Sequence, residues 1–197
     1  MSKKIGIICI ILGFACLVSA IGFVIYNQWE AENAAGSTQS LLENIHLAID
    51  EETQPTEEPI TPTEMPTIEV DGYDCIGILT IPTLNLELPV LTDWSYTKLK
   101  KAPCVYYGSY YESNFVIAAH NYKAHFGKLS KLEQGDVVIF TDINDMVYYY
   151  EVVLLETLPK EATKEMITSG FDLSLYTCTT SGANRVTVRC NSVQRVD

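Results

Sequence analysis

Three kinds of side chain in this 197-residue sequence can do covalent chemistry together: a thiol, an imidazole and a guanidinium. Cys178 closes the stretch Leu175-Tyr176-Thr177-Cys178, and Arg185 opens the run Arg185-Val186-Thr187-Val188-Arg189. Leu173, Leu175 and Thr177 alternate with Ser174 and Tyr176, the period-two pattern of a half-buried strand. Ser181-Gly182-Ala183-Asn184 supplies turn residues. Residues 172–191 therefore read as a hairpin that carries a thiol and a permanent cation to one end of a sheet. Positive charge nearby favours the thiolate, which is the nucleophilic form. A guanidinium also presents forked donors to a developing oxyanion. Arg189 lies on the same strand face as Arg185, so spacing alone does not choose between them. The acid–base partner would be a histidine, and there are three: His46, His120 and His125. His120 follows the apolar run Phe115-Val116-Ile117-Ala118-Ala119 and is aimed at a sheet rim; His125 is its competitor, and His46 sits in an acidic segment. Against this stands a plainer possibility, that Cys178 is a small buried hydrophobe, as strand cysteines commonly are.

Other chemistries are absent from the pattern. There is no HExxH sequence, no cysteine cluster with zinc spacing and no glycine-rich phosphate loop. The order His, then Cys, then Arg is not that of papain-like enzymes, and no caspase-like signature surrounds the cysteine. Glu112, Asp142 and Asp145 show no readable calcium-ligand spacing, and no cofactor is implied. A formal charge of −12 argues against nucleic acid as a partner.

The elements that must position these residues begin at an anchor. Ile5 to Tyr26 is 22 residues without a charge, about 33 Å of helix, enough to cross a hydrocarbon core. Lys3 and Lys4 precede it, and Glu30 and Glu32 follow. The positive-inside rule then puts the N-terminus in the cytoplasm and the rest outside a single-pass anchor. The apolar run continues past Val18-Ser19-Ala20, which suits a retained anchor better than a cleaved signal. Residues 1–26 are thus the cytoplasmic tip and transmembrane anchor. Residues 27–71 read as an acidic, proline-rich linker: from Glu30 to Asp71 there are eleven acidic residues and no Lys or Arg. Pro55, Pro59, Pro62 and Pro66 suit an extended spacer. Within it, Ser40 to Ile49 predicts a short amphipathic helix, with Leu41, Leu42, Ile45 and Ile49 on one face and a Ser40–Glu43 capping box.

Residues 72–197 form the folded domain. Strands are expected at Ile76–Ile81, at Leu84–Leu88 stopped by Pro89, at Cys104–Ser109, at Phe115–Ala119, at Val137–Thr141 and at Val147–Leu158, then in the hairpin. Short helices are expected at Asp93–Ala102, around Phe126–Leu132 and at Thr163–Thr168. Seven or eight strands with only short helices imply a closed or nearly closed β-barrel. Cys75, Cys104 and Cys190 sit in apolar surroundings and read as buried free thiols; Cys9 and Cys16 lie in the anchor.

Leu175-Tyr176-Thr177-Cys178 resembles the Leu-x-Thr-Cys signature of sortases, the bacterial cysteine transpeptidases that attach proteins to cell walls or pili. Ile117-Ala118-Ala119-His120, Phe126 to Leu132 with Gly135-Asp136, and the domain opening Gly77-Ile78-Leu79-Thr80-Ile81-Pro82 followed by a short alternating strand that ends at Pro89-Val90 extend the resemblance over residues 72–196. The residue before the histidine is usually glycine in that family and is Ala119 here. The resemblance implies a mostly β fold, an eight-stranded sortase-type barrel behind one transmembrane helix. It implies His120, Cys178 and Arg185 as catalytic residues, with Thr177 as a substrate contact. It also implies the reaction: cleavage of an LPxTG-like sorting signal between Thr and Gly, transfer to a cell-wall peptide or pilin amine, and slow hydrolysis on the side. His120 and Cys178 are 58 positions apart, which leaves no room for the long helical insertion of typical class B members and leans toward a class A- or D-like layout. The alternative from another class is a non-catalytic, membrane-tethered β-domain that binds cell-wall or pilus components.

Overall fold

A computed structural model describes residues 2–52 and 65–194. Two compact units divide the chain, residues 1–33 and residues 34–197. Helix α1 runs Ser2–Glu52. It is long and apolar enough to cross a membrane, with a mean hydropathy of 2.8 over its most apolar window. The short helix expected at Ser40–Ile49 is therefore part of a much longer one, and Ser40 is an interior residue rather than a cap. No proline interrupts residues 2–52, and Ala31, Ala34 and Ala35 favour continuation, so a capping box alone does not start a new helix there. The spacer prolines Pro55, Pro59 and Pro62 lie outside the described residues.

Among the described residues, the second unit is built on nine strands, all in one sheet. They are β1 (Ile68–Val70), β2 (Tyr73–Ile81), β3 (Leu86–Leu91), β4 (Cys104–Tyr107), β5 (Phe115–Ala118), β6 (Val137–Asp142), β7 (Val147–Pro159), β8 (Leu173–Cys178) and β9 (Asn184–Ser192). Their order is β1-β2-β3-β4-β5-β8-β9-β7-β6, and β2 pairs again with β6. That second pairing closes β2 to β9 into an eight-stranded barrel with β1 as a short addition at one side. Closure removes the open edges an eight-stranded sheet would otherwise expose. Two neighbours run parallel, β3–β4 and β5–β8; the other pairs are antiparallel. At the closing seam Gly77 faces Asp142, with φ +150°, and a Cβ there would lie 2.1 Å from the Thr141 carbonyl oxygen. Only glycine lets the two backbones meet this closely.

Pro89 does not stop β3, as its position suggested, but lies inside it opposite Ile78. The other side of β3 is joined to β4 only at Leu91–Cys104, so most of that edge needs no backbone donor and tolerates the imide nitrogen. The expected helix at Asp93–Ala102 shrinks to α2 (Tyr96–Leu99), capped by the Ser95 hydroxyl, which accepts from the Lys98 amide at 3.1 Å. Residues 126–132 form only a 3-10 turn at Leu129–Lys131, yet Phe126, Leu129 and Leu132 all enter the barrel core as their spacing indicated. Helix α3 (Thr163–Ile167) lies between β7 and β8.

Phe115, Phe126, Phe140, Leu79 and Ile117 are fully buried in the barrel interior. A second apolar cluster sits outside it: Leu41, Leu42, Ile45 and Ile49 of α1 pack on Ile68, Val70, Cys75, Ile78 and Leu91. The amphipathic face read from the sequence thus docks on the barrel. Cys75, Cys104 and Cys190 are buried free thiols.

Candidate active site

Strand register brings together the three residues that the sequence singled out. In the β8–β9 hairpin Cys178 stands directly opposite Arg185. Opposed residues of an antiparallel pair share a sheet face, with Cβ atoms about 5 Å apart. On the other side of β8, parallel β5 pairs Ala118 with Tyr176. The ladder is prolonged by the Ala119 amide donating to the Tyr176 carbonyl at 3.2 Å. Two residues further along both strands, His120 reaches the level of Cys178. Imidazole, thiol and guanidinium therefore come from the segment just after β5 and from the adjacent strands β8 and β9, at one rim of the barrel.

Alternation along β8 divides its side chains cleanly. Leu173, Leu175 and Thr177 point into the barrel, while Tyr176 and Cys178 border a groove of about 180 Å³ with His120, Arg185, Trp94 and Met166. This corrects the expected role of Thr177 as a substrate contact. It is 3% exposed, and its hydroxyl donates to the Ala119 carbonyl at 2.8 Å. It straps β8 to the segment that delivers His120 and does not border the groove.

Cys178 is partly exposed, unlike the three interior cysteines of the barrel unit. Burial pushes the thiols of Cys75, Cys104 and Cys190 up to about 12. A thiol that stays protonated is a poor nucleophile, so burial disfavours reaction at these three, and of the four only Cys178 borders the groove. Arg185 donates from Nη1 to the Gly182 carbonyl at 3.1 Å and to the Asn184 carbonyl at 3.2 Å. Both bonds use one nitrogen, and they tie the guanidinium to the turn beside Cys178.

The structure separates the two arginines that sequence spacing left equivalent. Arg189 is on the same face as Arg185, opposite Ser174, but helix α3 covers it and leaves it 1% exposed. Its Nε donates to Glu156 Oε1 at 2.8 Å and its Nη1 to Ser174 Oγ at 2.8 Å. The carbonyls of Met166 and Glu165 accept from Nη1 and Nη2 at 3.2 and 3.0 Å. A guanidinium can be buried when its donors are satisfied in this way. Arg189 thus fastens α3 over the barrel, and α3 contributes Met166 to the groove wall. Sequence reasoning did not find this tie, because its four partners are spread over residues 156–174.

The two histidines separate as clearly. His120 borders the groove and stacks on Tyr122, ring centroids 4.8 Å apart. His125 is fully buried, with Nε2 lying 2.7 Å from the Thr38 hydroxyl of α1. Burial, with the neighbouring His120 as a second cause, holds its imidazole down at about 4. His46 is exposed beside Glu87. An aromatic wall also escaped the sequence reading: Trp94 is 5.8 Å from Tyr96 and from Tyr106, and Tyr106 is 5.3 Å from Tyr176. Its four members come from three separate segments, and only a Trp-x-Tyr pair before α2 hinted at it. Among the described residues, no cluster of three or more His, Cys, Asp or Glu side chains could hold a metal ion.

Comparison with known proteins agrees with this fold. The family model for the sortase domain matches residues 79–193. Sortase C of Streptococcus pneumoniae superposes with a TM-score of 0.55 at 23% identity, covering 84% of this chain and 89% of that one. A Clostridium perfringens sortase C solved with the C-terminal cell wall sorting motif gives 0.55 at 24% identity, over 80% and 89%. The sortase D5 transpeptidase of C. perfringens gives 0.57 at 17% identity, over 81% and 97%. No curated protein matches the sequence. The solved structures share the fold; the domain match covers more than half of the sequence, and the chain belongs to the sortase family.

Proposed function

We propose that this sortase is a cysteine transpeptidase that cuts an LPxTG-like sorting signal between Thr and Gly. The observation that carries the reading is the register that sets His120, just past the end of β5, beside Cys178 and Arg185 around one groove. The Cys178 thiolate attacks the Thr carbonyl carbon, forming a C–S bond and a tetrahedral oxyanion. Arg185 faces that oxyanion; its Nη1 is engaged by the turn, and Nε and Nη2 supply donors to the oxygen. The C–N bond breaks as His120 gives its proton to the departing glycine amine. The resulting acyl-thioester conserves the acyl group. An incoming amine, from a cell-wall peptide or a pilin lysine, attacks it and returns a proton to His120, and the thiolate leaves. Water in place of the amine gives slow hydrolysis. The aromatic wall of Trp94, Tyr96, Tyr106 and Tyr176 offers the apolar part of the signal a surface to pack on. The sortase C solved with its sorting motif supports a partner of this kind. Helix α1 would anchor the enzyme in a cell membrane with its N-terminus in the cytoplasm and the barrel outside.

The test is to incubate the full-length protein in detergent with LPxTG-like peptides and measure intact mass. An acyl adduct on Cys178 that ends at Thr, and is lost in Cys178→Ala, is expected. An adduct retained in Cys178→Ala would overturn the proposal. A Cys178 that forms no adduct and resists alkylation in the folded protein would favour a non-catalytic binding domain instead.

A further inference from the structure

The loop that carries His120 is held from two sides. It closes on itself through the Phe126 amide, which donates to the His120 carbonyl at 3.1 Å, and the His125 and Gly127 amides, which donate to the Tyr122 carbonyl at 2.9 Å each. Gly127 is required by this closure, since a Cβ would lie 2.5 Å from the Asn121 oxygen and 2.7 Å from that of Tyr122. Inward, Phe126 fills the barrel core. Outward, His125 meets Thr38 in the part of α1 that packs on the barrel, 87 residues away in sequence. Tyr122 lies between the histidines, its ring 4.8 Å from His120 and 5.6 Å from His125.

Thr38 Oγ1 stands at a junction. The Ala34 carbonyl is 2.9 Å away, and the Lys101 carbonyl is also a hydrogen-bond acceptor for it. Both are acceptors only, and the hydroxyl has one proton, so the hydroxyl donates to a carbonyl and His125 Nε2–H donates to the hydroxyl. His125 Nδ1 is then a bare acceptor, buried with no hydrogen-bond partner among the described residues. That explains why protonation is resisted: a second N–H would enter a dry site. Lys101 follows α2, and Tyr96 of α2 with Trp94 just before it also lines the groove; the Lys101 Nζ donates to Ser37 Oγ of α1 at 3.2 Å. Thr38 is 4% exposed. One buried hydroxyl thus links the turn after α2 to the loop of His120.

We propose that Thr38 is a positioning residue for catalysis: through His125 it fixes the loop that aims His120 at Cys178, and through Lys101 it fixes the α2 segment that also lines the groove. The docked stretch of α1 is then a working part of the catalytic domain as well as a tether. This rests on the reading that His120 and Cys178 act as a pair. The function of α1 as a bare anchor would need apolar residues only, and Thr38 and Ser37 are polar residues used at this contact.

The test needs no knowledge of the substrate. The full-length protein in detergent is treated with iodoacetamide across a pH series, and carboxymethylamidation of Cys178 is read at the peptide level by mass spectrometry. Wild type is compared with His120→Ala, Thr38→Val and Thr38→Ser. Thr38→Val keeps the shape and removes the hydroxyl. Its Cys178 profile is expected to move toward that of His120→Ala by about half a pH unit or more, roughly a threefold change in thiolate population, while Thr38→Ser stays with wild type. A wild-type profile in Thr38→Val, with His120→Ala displaced, would overturn the inference and leave the proposed function standing. A wild-type profile in His120→Ala would remove the His–Cys pair and both proposals with it. Should Thr38→Val fail to fold, His125→Leu against His125→Gln makes the same comparison. Gln retains a donor for Thr38, and a wild-type profile in the Leu variant would be equally fatal.

Discussion

Two arginines four residues apart on one strand face do different work, and the difference is what covers them. Arg185 borders the groove opposite Cys178, whereas Arg189 lies under α3 with its donors spent on Glu156, Ser174 and two helix carbonyls. Substitutions should therefore cross over. Arg185→Lys keeps the charge and loses the fork, so it should slow formation of the Cys178 adduct by on the order of 10- to 100-fold with an unchanged melting temperature. Arg189→Met should cost about 2–3 kcal/mol in urea unfolding, because it strands Ser174 and the α3 carbonyls. Glu156 is partly exposed and can turn to water, which keeps the cost at that level. Adduct kinetics and unfolding curves on the two variants check this directly; equal loss of stability in both would mean that Arg185 is structural too. Residue type and order pointed to His120 and Cys178 as candidates, and the structure places both at one groove. The choice of Arg185 followed from family resemblance, because the covering helix is not written at the arginine.

At the scale of elements, the barrel was readable wherever one face of a strand is buried. The alternation in β8 named Leu173, Leu175 and Thr177 as interior residues, and all three are. The reading failed where a local signal met a tertiary condition. Pro89 looked like a strand end, but β3 has a nearly unpaired side that accepts it. Ser40 and Glu43 looked like a cap, but an uninterrupted helix runs through them. The docking of α1 was half visible: its apolar face was clear, but the surface that receives it, made by Ile68, Val70, Cys75 and Leu91, is assembled from three segments. Ile45 sits at the centre of that contact and is fully buried. Ile45→Ala should lower stability by about 2–4 kcal/mol, the cost of a buried cavity, measurable by denaturant unfolding. Gly127→Ala belongs to the same scale. Its new methyl would meet two backbone oxygens rather than a movable side chain, so it should disturb the His120 loop and, with His120 in its proposed role, reduce adduct formation on Cys178 more than tenfold, the scale of a misplaced reacting group.

For the molecule as a whole, the buried histidine makes folding depend on pH in a direction that can be worked out. In the folded protein His125 is held at about 4, against 6.5 as its ordinary value. Between those two values the unfolded chain binds a proton that the folded chain refuses. Stability therefore rises with pH across this window. It is fully present above about 6.5 and lost progressively as the pH falls, with the loss complete below about 4. The interval corresponds to about 3 kcal/mol, a large share of a typical domain's stability. Carboxylates titrate over part of the same range, and with 25 acidic residues in the chain their contribution would mask the histidine in a single curve. The difference between wild type and His125→Gln removes them, because both proteins carry the same carboxylates. Urea unfolding at pH 7 and pH 4.5 should show wild type losing about 2–3 kcal/mol more than His125→Gln on acidification. Parallel losses in the two proteins would mean that His125 takes up its proton without unfolding the clasp, and that the contact with Thr38 tolerates a charged ring.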